Sequence, residues 1–161
     1  MLQVAISIED ESWQDLAFDI TSACESSLTK AWHSLDDQSA SEAWVSILLT
    51  GDQQMQSLNN HYRNIDAPTN VLSFPSPENS ARAEDGGHVL GDIALSAQTI
   101  IREAAEQSKI VPDHLAHLLV HGLLHLLGYD HEVDDEAAVM EQLEIDILGT
   151  MDVSNPYGQV L

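Results

Sequence analysis

Residues 113–131 read DHLAHLLVHGLLHLLGYDH, and five of the chain's eight histidines fall inside them. Apolar residues fill the positions between, so the stretch reads as an apolar helix. Pro112 suits the first turn of that helix, and Gly128 is a natural stop. His117, His121 and His125 are each four residues apart and therefore share one face, with His114 close to the same stripe.

Two histidines one turn apart can give two imidazole nitrogens to one metal ion. The next turn of the same helix cannot give a good third, because tetrahedral coordination needs a donor from another direction. The stop at Gly128 lets the chain turn back, so that His131 approaches from the side. This selects His121, His125 and His131 as ligands of one divalent metal per chain, with His121 and His125 as the helical pair. Three histidines leave one position for water, the pattern of catalytic rather than structural zinc. Zinc suits three imidazoles, and nickel and cobalt accept the same donors. The spacing H-x3-H-x5-H also fits the metzincin peptidase frame, but Gly122 stands where that frame needs its general-base glutamate. Peptide hydrolysis by that mechanism is therefore not expected. A lone histidine on an apolar helix is ordinarily a packed or surface residue; that reading is favoured for His114 and His117, which the metal does not require, the alternative being that one of them supports a ligand from behind.

Working outward, residues 2–8 (LQVAISI) alternate as a strand does, and 43–50 (AWVSILLT), 69–74 (TNVLSF) and 89–96 (VLGDIALS) read as three more. Ser12 is a plausible cap for a helix to about His33, with Trp13, Leu16, Ala17, Ile20 and Cys24 at helical spacing. Asp52 can cap a helix over 53–64, with Met55, Leu58 and Tyr62 on one face. Further helices are expected over about 97–108 and from Asp134 or Asp135 onward, the last with Val139, Met140, Leu143, Ile147 and Leu148 as its apolar face. Residues 36–41 and 75–88 read as loops. Strands and helices mix without strict alternation. The expectation is an α+β fold: a single domain spanning 1–161, with one mixed four-stranded sheet, about five helices packed around it, and a metal site at the end of a central helix.

The 161 residues include 27 Asp and Glu against 5 Lys and Arg, a formal net charge of −22. Such a field repels nucleic acid and anionic membranes at long range. Solubility is one reading of it and a cationic partner another, and under either a phosphate-binding role must rest on the metal and very few basic side chains. The N-terminal MLQVAISIEDESW has neither a basic region nor a long apolar run, so a cytoplasmic location is expected, with no membrane partner. The single Cys24 cannot form an internal disulfide.

Residues 121–131, HGLLHLLGYDH, match the signature HGxLHLxGYDH, and the chain here resembles the YbeY family of rRNA-maturation endoribonucleases. A second family stretch is met by Arg63, Asp66 and Thr69 to Pro75, with Asn70 where many members carry Asp; a third is met by Leu90 to Ile93. The resemblance implies a zinc-dependent endoribonuclease that favours single strands, acting in small-subunit rRNA maturation and ribosome quality control. It implies RNA and the small ribosomal subunit or its proteins as partners, with no nucleotide cofactor. It also implies His121, His125 and His131 as ligands and Arg63 as the basic residue of the active-site cleft. A guanidinium can hold a phosphate with two parallel hydrogen bonds and offset charge developing at phosphorus. Asp92 and Asp130 either orient a ligand and line the cleft, or bond to backbone amides. Direct hydrolysis and attack by the RNA 2′-OH both remain open. Two other classes stand beside this reading: a metalloprotease-like hydrolase, and a non-catalytic assembly factor that the metal stabilises.

Overall fold

The computed structural model describes residues 1–35, 42–77, 88–130 and 132–158. The loop expected at 36–41 and most of that at 75–88 lie outside these residues. Four strands, β1 (Leu2–Ile8), β2 (Ala43–Thr50), β3 (Val71–Pro75) and β4 (His88–Ser96), form one sheet in the order β1-β2-β4-β3. β1 and β4 both run parallel to β2, while β3 runs antiparallel to β4, so the sheet is mixed as expected. β3 is an edge strand, which is why Pro75 is tolerated at its end.

Five helices surround the sheet: α1 (Ile20–Ser34), α2 (Asp52–Arg63), α3 (Ala97–Glu106), α4 (Val111–Leu126) and α5 (Asp134–Gly149). The period-2 pattern of the strands divides their side chains between two faces. Val45, Ile47, Leu49, Ile93 and Leu95 pack with α1, α4 and α5 in the main core. Leu72 and Ala94 face the other way, against Met55 of α2. α4 is central: ten of its residues are buried, Leu115, Leu119, Leu123 and Leu124 almost completely. By the usual value for a large aliphatic side chain, each of these contributes about 1.5–3 kcal/mol of burial.

Three expectations are corrected. The first helix starts at Ile20, capped by Asp19, whose carboxylate accepts the Ser22 amide. Residues 11–13 form a separate one-turn 3-10 helix capped by Asp10, because Trp13 is held in the core with its indole N–H donating to the Thr50 carbonyl. Asp52 does not cap α2. Its carboxylate instead accepts the hydroxyls of Ser96 and Thr99 at 2.6 and 2.5 Å, and Gly51 takes the cap position. Burial pushes the Asp52 carboxyl up, and these hydroxyls with the Arg102 guanidinium outweigh that, so its pKa is lowered. Tyr62 and Val139, expected on buried faces, are 61% and 55% exposed.

Candidate active-site cleft

α4 ends in a Schellman motif: the Gly128 amide donates to the His125 carbonyl and the Tyr129 amide to the Leu124 carbonyl. Gly128 has φ +100°, a conformation glycine adopts at little cost. The motif stops the helix one turn beyond His121 and exposes the end of α4 to a cleft of about 510 Å3. His121 and His125 line one wall, Asn70, Val71 and Ser73 of the β3 segment another, and Arg63 and Asp130 also border it. The structure thus brings Arg63, His121 and His125 to one place. His131 lies outside the described residues.

Arg63 reaches the cleft because α2 ends there. Asn64 takes a left-handed conformation (φ 57°) and turns the chain back toward β3. Two side chains of α2 hold that return: Asn59 donates to the Ala67 carbonyl at 2.9 Å and Gln56 to the Asp66 carboxylate at 3.0 Å.

The Nε2 atoms of His121 and His125 are 3.1 Å apart. Nδ1 of His121 lies 2.5 Å from Oε1 of Glu144, a carboxylate on α5 with no exposed surface. Nε2 of His117, at 3.3 Å, and the hydroxyl of Tyr157 both donate to its other oxygen. Burial pushes the Glu144 carboxyl up; the hydrogen bonds from His117, His121 and Tyr157 together outweigh it and bring it down to about 2. Glu144 is therefore ionised at neutral pH and can only accept, so Nδ1 of His121 carries a proton, and in the neutral ring the lone pair is then on Nε2. This is the arrangement a metal-ligating histidine requires. The 3.1 Å separation is also near the roughly 3.3 Å that two zinc–nitrogen bonds of about 2.05 Å make at a tetrahedral angle. The donor pair fits a transition metal.

Sequence reasoning missed Glu144 and Tyr157. The signal for the first was present: Glu144 follows Met140 by four residues and precedes Ile147 and Leu148 by three and four, so it sits on the apolar stripe. An acid there needs a partner. Tyr157 had no such signal, because its place depends on how the chain folds back after α5.

The remaining expected residues separate cleanly. His114 is buried and 2.9 Å from Oε1 of Glu103, which also accepts the Asn70 amide at 2.9 Å. It supports the cleft wall through Asn70. Burial lowers the His114 pKa, and Glu103 only partly offsets this. Asp92 is exposed and shares the face of β4 that carries Ala94, opposite α4; it is not among the residues lining the cleft.

Gly122 has a packing cause. A Cβ there would lie 3.1 Å from both Cδ1 and Cγ2 of Ile93 and 3.2 Å from the Ser73 hydroxyl. Ile93 is fully buried and β-branched, so it cannot easily give way. Gly122→Ala is expected to lose roughly 1–2 kcal/mol, overpacking exceeding the gain in helix propensity. A thermal or urea melt checks this, and a stabilised variant would refute the packing account. Close approach of α4 to β3 and β4 thus takes the position where a peptidase of this frame carries its glutamate.

Residues 6–152 match the family model described as Endoribonuclease YbeY. A relative of that name from Bartonella bacilliformis is 43% identical over 164 residues, covering the whole of both chains. One from Allorhizobium ampelinum is 44% identical over 168 residues, covering 99% of this chain and 97% of its own. The solution structure of TM1509 from Thermotoga maritima shares the fold, with a TM-score of 0.57 at 20% identity over 99% of this chain and all of its own. With the signature histidines at the end of α4 and these matches along nearly its whole length, the chain belongs to the YbeY family of endoribonucleases.

Proposed function

We propose that this protein is a metal-dependent endoribonuclease that favours single-stranded RNA and acts in the cytoplasm on small-subunit rRNA precursors. The observation that supports the reading is that Arg63, His121 and His125 line one cleft. The family name adds the substrate class.

His121 and His125, with His131, would hold one divalent ion, zinc by the chemistry of its donors. When bound, the ion supplies Lewis acidity toward a phosphoryl oxygen and a more acidic water. The rest of the chemistry belongs to the chain. Arg63 binds the phosphodiester and offsets the negative charge that grows on its oxygens as the bond to the leaving group lengthens. Glu144 keeps the His121 lone pair facing the cleft. Products ending in a 2′,3′-cyclic phosphate would assign the attack to the RNA 2′-OH. The acidic surface suits basic ribosomal proteins as partners.

The test is metal content and cleavage of single-stranded RNA on one preparation, with wild type beside Arg63→Ala. Arg63→Ala is expected to keep its metal and lose roughly 100-fold or more in kcat/KM. Arg63→Lys should recover little, because an ammonium cannot supply the paired hydrogen bonds. Full activity in Arg63→Ala would show that Arg63 is structural. Metal in wild type with no cleavage of any RNA would replace this reading with a metal-stabilised assembly factor.

A further inference from the structure

Arg63 is the only Lys or Arg among the described residues that lines the cleft, and Asp130 and Glu132 line it as well. Arg102 is engaged with Asp52 at 3.8 Å. A chain of net charge −22 cannot draw RNA to this cleft by the phosphate attraction that dominates most nucleic-acid binding. Beyond what Arg63 and a bound metal contribute, affinity must come from contacts that do not depend on charge, and for unpaired nucleotides the main such contact is stacking of a base on an aromatic ring.

Tyr62 offers that ring. It extends the apolar stripe of α2, where Met55 is completely buried, yet it is 61% exposed. Its centroid is 5.0 Å from Phe74 at an interplanar angle of 60° and 4.6 Å from His61 at 87°, so two rings hold it while much of its surface stays in water. Neither Tyr62 nor Phe74 lines the cleft itself; Phe74 packs with the Met55, Leu72 and Ala94 cluster, and the two rings sit beside lining residues in the chain. Tyr62 precedes Arg63 in the chain, and Phe74 lies between Ser73 and Pro75, all three neighbours being lining residues.

The geometry points to Tyr62, braced by Phe74 and His61, as a stacking platform for an unpaired nucleobase of the RNA whose phosphate Arg63 binds. The inference rests on the endoribonuclease reading above. It also accounts for a preference for single strands: in a duplex both faces of each base are already stacked, whereas a base in a single strand can swing onto the ring.

The experiment compares wild type with Tyr62→Ala, Tyr62→Leu and Tyr62→Phe on a single-stranded RNA oligonucleotide, on the same strand annealed to its complement, and on a set with one abasic site at each position in turn. Tyr62→Ala is expected to raise KM for the single strand roughly 5- to 100-fold. Its kcat, metal content and melting temperature should stay near wild type, and its preference for single strands should shrink. Tyr62→Phe should restore KM and Tyr62→Leu should not, since leucine fills the space without a π-face. One abasic position should weaken wild type about as much as the substitution does, and have no further effect in Tyr62→Ala. The platform is overturned if Tyr62→Leu restores KM as well as Tyr62→Phe does, or if wild type cleaves RNA and Tyr62→Ala has an unchanged KM. If wild type neither binds nor cleaves any of these RNAs, the endoribonuclease reading falls first and this one with it.

Discussion

Replacing His125 by alanine is expected to abolish metal retention and RNA cleavage together. His125 sits in the last turn of α4, half-buried, with its Nε2 3.1 Å from that of His121. Removing it leaves one helical imidazole, which cannot hold a transition metal tightly without its neighbour. The stability effect separates ligation from packing. A metal at 100 times its dissociation constant stabilises the native state by about 2.7 kcal/mol. Wild type should therefore melt higher with metal than after chelation, while His125→Ala should melt at one temperature in both conditions. After chelation the two chains should differ little, within about 1 kcal/mol, because a half-buried side chain is lost without opening a core cavity. Elemental analysis and a melt with and without chelator check both parts. Unchanged metal stoichiometry in His125→Ala would remove it from the ligand set.

Local patterning carried far in this chain, and it failed where distant segments decide. β1 and β2 were legible to the residue because both faces of the pattern agree with burial. The end of α4 was legible because glycine in a left-handed conformation has a local cause. The start of α1 was not: Ser12 and Asp19 are both reasonable caps, and the choice is made by Trp13, whose indole finds the Thr50 carbonyl 37 residues away. Asp52 looks like a cap from its neighbours alone, yet its partners Ser96 and Thr99 come from the far end of β4 and from α3. Arg63 could be placed in the cleft only through the family motif, since a single arginine before a strand is ordinarily a surface residue. The histidine pair was readable from spacing. Its supporting carboxylate was not, because an acid on an apolar stripe says that a partner exists without saying which.

That carboxylate gives the second large effect. Glu144 has no exposed surface and accepts hydrogen bonds from His117, His121 and Tyr157. Glu144→Ala leaves three donors without their acceptor in the interior, and a loss of about 3–5 kcal/mol is expected, enough to unfold much of a marginally stable chain. Glu144→Gln is the more informative variant. Its amide oxygen can still accept from Nδ1 of His121, but the charge that raises the basicity of that ring is gone, and metal affinity should fall roughly 10- to 100-fold. The same variant tests the acid response of the metal-stripped protein. The Glu144 pKa is about 2 when folded, against an ordinary value of 4.5. A carboxyl depressed on folding contributes stability that is complete above its unfolded pKa, and that contribution is lost as pH falls toward the folded one. Between pH 4.5 and about 2 wild type should therefore lose on the order of 3 kcal/mol that Glu144→Gln never had. The other acidic residues are common to both chains and cancel in the difference. Urea midpoints at half-unit steps through this range measure it: the gap between the two chains should close as pH falls. Parallel curves would mean that Glu144 titrates in the folded state much as it does in the unfolded chain, and the account of how His121 is oriented would fail with it.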